Sequence, residues 1–250
     1  MRAMLRALAL TFLLVSPLPA AAMVGGAGAP PDAIARSVVL IVGSRGNSCS
    51  GVALAPDLVL TAAHCVLPGA DYKIVEFDAA RQPQLRDVAS VTAHPKFELK
   101  TMLAHRATAD VALVKLAAPL ASVTPATLGP PLTVAPGDAL TVAGYGVAVR
   151  GDGKSGGTVR AAALIATGRP GHLQVRLVDP ATKGERAGLG ACTGDSGAPV
   201  FAMTGFPSVI GLVSWSTGPA NSAGCGGLTG VTPLFRYLDW IADYRKLLTR

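Results

Sequence analysis

A chain of 250 residues that is 50% hydrophobic and only 15% charged is too apolar to stay disordered. It is also long enough to bury one large core or two smaller ones. The formal net charge of +7 comes from scattered Lys and Arg, without a dense basic block or interleaved aromatics. That argues against nucleic-acid binding and reads as solubility, or as an affinity for acidic partners.

Taken in chain order, the first feature is a positive start, Arg2 and Arg6, followed by an apolar run from Ala7 to Val15. Prolines and small residues then extend from Ser16 to Ala22. These are the three parts of a secretory signal, and the apolar run is too short to cross a bilayer as a mature helix. Cleavage after Ala22 sets Ala20 and Ala22 at the two small-residue positions and leaves about 228 residues carrying about +5, starting Met23-Val24-Gly25-Gly26. No second long apolar segment follows, so a secreted or periplasmic protein without a membrane anchor is expected.

Beyond the leader, short Val, Leu, Ile and Ala runs alternate with Gly, Pro, Asn and Asp clusters, the pattern of an all-β barrel or sandwich. Val59-Leu60 leads into Thr61-Ala62-Ala63-His64-Cys65, which sets a histidine at the end of an apolar run. Asp71, Glu76 and Asp78 lack the spacing of a calcium loop and read as a solvated loop. Asp110 opens the strand-like Val111 to Leu116; alone, such an aspartate is a turn residue. Pro119 to Gly137 holds five prolines and forms a natural crossing between two halves. Gly153-Lys154-Ser155 imitates the end of a P-loop, but Ala148 stands where the first glycine is required, and a surface loop is expected instead.

Cys192-Thr193-Gly194-Asp195-Ser196-Gly197-Ala198-Pro199 is too rich in backbone-permissive residues for a helix or regular strand. A serine there becomes nucleophilic only with a base to take its proton and donors to hold the oxyanion, and the flanking glycines can turn backbone N–H groups toward one point. Leu234, Leu238, Ile241 and Leu248 recur at near-helical spacing between charged residues, which predicts a terminal amphipathic helix over 235–250. Four cysteines in an exported chain point to two disulfides, with three connectivities open; zinc is disfavoured because no C-x2-C spacing occurs. No metal or cofactor is expected.

In the chain order His64, Asp110, Ser196, these segments resemble the chymotrypsin-like (trypsin-like) serine peptidases. Gly144-Tyr145-Gly146, Ser214-Trp215-Ser216 and Tyr237-Leu238-Asp239-Trp240-Ile241 add to the likeness, which covers nearly everything after the leader. The α/β-hydrolases run in a different order, and Ala198 breaks their G-x-S-x-G elbow. The resemblance implies two six-stranded antiparallel β-barrels packed face to face with a C-terminal α-helix outside them. Residues 23–125 would form the barrel carrying His64 and Asp110, and residues 126–234 the barrel carrying Ser196.

It further implies Ser196 as nucleophile, His64 as base, Asp110 as the carboxylate orienting it, and the N–H groups of Gly194 and Ser196 as oxyanion hole. Disulfides Cys49–Cys65 and Cys192–Cys225 are implied, each worth about 3 kcal/mol. Asp195 would pair with the amine of Met23, so that leader removal itself completes the site. Met23 replaces the usual isoleucine, and Gly25-Gly26 could instead be a plain flexible linker. The substrate pocket would be formed by Gly190, Ser214, Trp215, Ser216 and Gly230. Without a carboxylate at Gly190, Lys or Arg side chains are disfavoured and a neutral apolar residue is expected. His94, His105 and His172 have no matching role and read as loop residues. The implied protein is an exported, monomeric serine endopeptidase acting on proteins or peptides. A non-catalytic homologue that binds proteins through the same cleft is the alternative, and an esterase a third.

Overall fold

The computed structural model describes residues 23–78, 80–168 and 173–248. The leader and His172 lie outside these residues. After a short helix α1 (Asp32–Ala35), six strands run in order: β1 (Val38–Gly43), β2 (Ser48–Ala55), β3 (Leu58–Thr61), β4 (Tyr72–Phe77), β5 (Pro83–Ala93) and β6 (Ala112–Leu116). A five-residue helix α2 (Leu99–Leu103) lies between β5 and β6. The strands close into an antiparallel barrel in the order β1-β2-β3-β6-β5-β4. β-Branched and leucine-rich runs such as Val38-Val39-Leu40-Ile41 and Leu58-Val59-Leu60 suit a pleated surface covered on both sides.

The second half contributes β7 (Thr127–Leu128), β8 (Ala139–Gly144), β9 (Arg160–Ala166), β10 (Val175–Val178), β11 (Pro199–Ala202), β12 (Ser208–Ser216) and β13 (Thr229–Pro233). Here β11-β8-β9-β10-β13-β12 form the sheet, and the β11–β12 pairing closes it into a second six-stranded barrel. The two-residue β7 adds to β12 in parallel. A turn over Leu234–Arg236 precedes the terminal helix α3 (Leu238–Leu248), which therefore starts three residues later than the periodicity predicts.

Three buried clusters organise these elements. One, with Val39, Ile41, Val59, Ile74 and Val114, fills the first barrel. A second, with Leu140, Val142, Leu164, Leu177 and Val200, fills the other. The third joins Val52, Leu60 and Leu113 of the first barrel to Phe201, Val209 and Leu212 of the second, and Ile241 of α3 seals it. The barrels are therefore held face to face by side chains that each turns outward, and α3 packs outside them.

The chain enters on the second barrel before it builds the first. Met23 and Ala27 are buried in the second barrel's cluster. Val24 bridges Gly190 and Gly28 bridges Ala161. A Cβ on Gly25 would lie 2.4 Å from the Gly188 carbonyl carbon, so Gly25 is seated against the 188–189 backbone and is not a loose linker.

The acidic trio also departs from expectation. Glu76 lies on β4, where its carboxylate accepts from Ser122 N–H at 3.0 Å, Ser122 Oγ at 2.8 Å and Arg86 Nε at 2.7 Å. Burial raises its pKa, but these donors outweigh burial and hold it below the usual range. Only Asp71 and Asp78 belong to loops. Gly153–Ser155 forms a single 3-10 turn capped by Asp152, far from any P-loop geometry.

Candidate active site

His64 sits in a 3-10 turn (Ala63–Val66) directly after β3, and Asp110 ends the loop before β6, the strand paired with β3. That pairing brings together residues far apart in sequence. Asp110 is fully buried and collects three donors: His64 N–H at 3.0 Å, His64 Nδ1 at 2.8 Å and Ser214 Oγ at 2.5 Å. With Nδ1 engaged, Nε2 is the nitrogen left to work as a base, and it faces the Cys65 Sγ at 3.9 Å. Cys49 and Cys65 are joined in a disulfide, so the cluster of Cys49, His64 and Cys65 offers no thiolate to a metal.

Ser196 comes from the opposite barrel. Its loop uses positive φ at Gly194 (+93°) and Gly197 (+77°), a region side chains rarely adopt. At Gly197 the need is also steric, because a Cβ would stand 2.1 Å from Thr61 Oγ1 and 2.4 Å from the Ser50 carbonyl oxygen. The Ser196 loop is thus pressed directly onto the segment that leads to His64. Ser50 N–H donates to the Ser196 carbonyl at 2.8 Å, which ties the two barrels at this point.

Ser50 is a further residue that holds this loop. Its buried hydroxyl donates to the Gly194 carbonyl at 2.8 Å and accepts from Tyr145 N–H at 2.9 Å. It thereby fixes the peptide between the two proposed oxyanion donors. Nothing local marks it, because its partners lie 144 and 95 residues away.

Asp195 is fully buried behind Ser196. Gly146 N–H and Cys192 N–H donate to its two oxygens, each at 2.9 Å. A Cβ at Gly144 or Gly146 would lie 2.2–2.4 Å from this carboxyl group, which explains why Gly144-Tyr145-Gly146 needs both glycines. Burial drives the Asp195 pKa up to about 7 against these two hydrogen bonds. Among the described residues no cation pairs with it; Met23 is buried in the same barrel but is not among its hydrogen-bond partners.

His64, Ser196 and Gly194 line one cleft of about 670 Å³, together with Asn47, Ser48, Thr193, Ser216 and Gly224 among others. The Cys192–Cys225 disulfide forms part of its wall. Gly190 is buried beneath the Gly226 backbone, and its Cβ position lies 3.1 Å from Gly226 Cα. Thr229 Oγ1 accepts from Ala191 N–H at 3.1 Å beside it. Asp179 is turned into the neighbouring loop, where it accepts from Leu189 N–H at 3.0 Å. Gly230 lies under the Trp215 indole, whose nearest ring atom is 2.1 Å from where a Gly230 Cβ would be. Ser214 serves Asp110, and Ser216 Oγ reaches the Gly224 carbonyl at 3.4 Å.

Two histidines expected in loops do more. His105 stacks on Trp215 with ring centres 4.4 Å apart, and His94 meets Tyr237 and Trp240 edge-on.

The comparisons with known proteins agree with this architecture. A family model described as Trypsin matches residues 23–241. Human serine protease 56 is 32% identical over 243 aligned residues, which cover 88% of this chain but only 38% of that protein. Human kallikrein-15 is 27% identical, with 80% of this chain and 82% of the relative covered. Kallikrein-15 of Saguinus oedipus is 28% identical, with 96% and 98% covered. Among solved structures, neuropsin, a serine protease expressed in the limbic system of mouse brain, superposes with a TM-score of 0.66. Its identity is 20%, over 88% of this chain and 98% of that one, so it speaks for the fold alone. The chain belongs to the trypsin family of serine endopeptidases.

Proposed function

We propose that this protein is an exported serine endopeptidase that cleaves peptide bonds through an acyl-enzyme on Ser196. The observation that carries the reading is the Asp110 carboxylate, which holds His64 by both its backbone N–H and Nδ1 in the cleft that Ser196 lines. That grip fixes the neutral tautomer with Nε2 as the basic nitrogen. His64 takes the Ser196 proton as Oγ attacks the scissile carbonyl, and returns it to the leaving amine. Asp110 stabilises the imidazolium between the two steps. The Gly194 and Ser196 N–H groups receive the oxyanion, each worth about 3 kcal/mol of transition-state stabilisation.

The pocket beside Ser196 suits a small or medium neutral, apolar side chain. No carboxylate lines the cleft among the described residues, so nothing there would offset the desolvation of a Lys or Arg. The Gly226 backbone over Gly190 makes the pocket shallow.

Export supplies the last part. Cleavage after Ala22 would free the Met23 amine, and that cation would neutralise the buried Asp195 carboxylate. The burial of Met23 and the bridge from Val24 to Gly190 favour this role for the segment. The test is labelling of the exported protein with a serine-directed phosphonate, with N-terminal sequencing of the labelled species. Label on Ser196 in a chain starting at Met23 is expected, and Ser196→Ala abolishes it. A correctly processed chain that takes no label would instead be a protein-binding homologue.

A further inference from the structure

Among the described lining residues of the cleft the one Lys, Arg, Asp or Glu is Arg150. Its guanidinium lies flat against Gly224: a Cβ there would fall 2.5 Å from Cζ and Nη1. Gly224 therefore admits the arginine to the rim of the pocket, next to Ser216 and the Cys192–Cys225 bridge. No carboxylate pairs with Arg150 among the described residues.

A second cation stands beside Trp215, in the middle of the Ser214–Ser216 wall. The Arg176 guanidinium lies 5.5 Å from the Trp215 ring centre, and His105 stacks on the same indole. His105, Arg176, Trp215, Thr217, Asn221 and Leu228 enclose a hollow of about 200 Å³. Trp215 Nε1 and Arg176 Nε are buried without a hydrogen-bond partner among the described residues. The hollow is lined by the Arg176 guanidinium and by no carboxylate among the described residues, so its charge suits an anionic group.

We infer that the substrates are acidic peptides, in which a small neutral residue at the scissile bond is flanked by carboxylates, one read by Arg150 at the pocket rim and one by Arg176 beside Trp215. This deepens the peptidase reading and rests on it. A peptide laid along Ser214–Ser216 as an added strand would pass Trp215, with Arg176 on it, and Ser216, with Arg150 near it. Both charges sit in concave, partly desolvated sites where field lines are focused, and the net charge of about +5 on the chain starting at Met23 adds steering in the same direction. The pocket floor stays uncharged, so the acid recognition is spatially separate from the fit of the cleaved residue.

The experiment compares three peptide series on the protein starting at Met23. All keep alanine before the scissile bond; the flanking residues are Asp and Glu, their amide isosteres Asn and Gln, or Lys. The acidic series is expected to exceed the amide series in kcat/KM by roughly tenfold at low ionic strength, mainly through KM, with Lys peptides poorest. That ratio shrinks toward one as salt rises to about 0.5 M, where the Debye length falls to about 4 Å. Arg150→Gln and Arg176→Gln each lower the ratio, and Arg150→Glu turns the preference toward Lys.

Equal cleavage of acidic and amide peptides by an untreated wild type, a parallel sample of which takes the phosphonate label on Ser196, overturns this inference and leaves the peptidase reading intact. The salt series on the wild type decides the point even if a variant fails to fold. A wild type that takes no label and cuts nothing overturns the peptidase reading. Titration of Ser196→Ala with the acidic and amide peptides, followed by indole fluorescence, then tests acid recognition separately: tighter acidic binding supports it and equal binding sinks it.

Discussion

Asp110 and Asp195 are both fully buried carboxylates at the same cleft, one at the edge of each barrel, yet their surroundings differ in kind. Asp110 has three donors, one of them an imidazole that can take up a positive charge during the reaction. Asp195 has two backbone N–H groups and no cation among the described residues, and burial lifts its pKa to about 7. Folding alone therefore completes the environment of Asp110. It leaves Asp195 without a cation among the described residues, so under the proposed function the half of the site around Asp110 is built in and the half around Asp195 depends on chain cleavage.

The largest effect should come from removing the charge that is already satisfied. Asp110→Asn keeps the shape of the site but loses the preference for the working His64 tautomer, and kcat is expected to fall roughly 10⁴-fold. A loss below tenfold, measured on a chain shown to be folded by its thermal transition, would mean that His64 does not depend on Asp110.

Asp195 should respond through pH. Its folded pKa of about 7 lies above that of an unfolded aspartate, near 3.9, so the folded chain binds the extra proton. In a form that keeps residues ahead of Met23, the Asp195 contribution to stability is full below about pH 4. It declines as pH rises and is lost above about pH 7. Asp195→Asn should remove that slope, seen as a difference in urea midpoints at pH 4.5, 6 and 7.5. In the form starting at Met23, the paired amine would lower the Asp195 pKa and flatten or reverse the slope. Identical slopes in the two forms would separate Asp195 from activation.

The smallest change concerns the third donor to Asp110. Ser214→Ala leaves both His64 contacts in place and should cost about 1–2 kcal/mol in kcat/KM, with the acidic limb of the pH profile displaced. Ser214→Thr, which keeps a hydroxyl, should recover part of it. Loss without any pH displacement would assign Ser214 a packing role instead.

Much of the site was readable in the chain itself. A serine among glycines, a histidine after an apolar run and an aspartate before a strand are local patterns, and their order narrows the fold. The two glycines around Tyr145 were legible as a motif, although their reason, space for the Asp195 carboxyl group, was not. The close packing of Trp215 over Gly230 has no signal in the sequence. Neither has the pairing of Glu76, whose partners Arg86 and Ser122 lie on other segments.

The sequence by itself determined the chemistry. Backbone conformation at Gly194 and Gly197, and the supply of a hydroxyl, an imidazole and carboxylates, depend on residue types that can be named one by one. Tertiary structure decided which side chains surround that chemistry. Arg150, Arg176, His105 and Ser50 carry no local signature; folding brings Arg150 to the cleft, Arg176 and His105 to the separate hollow at Trp215, and Ser50 to the Gly194 carbonyl, and long side chains take their positions from whatever glycine, indole or carbonyl packing leaves beside them.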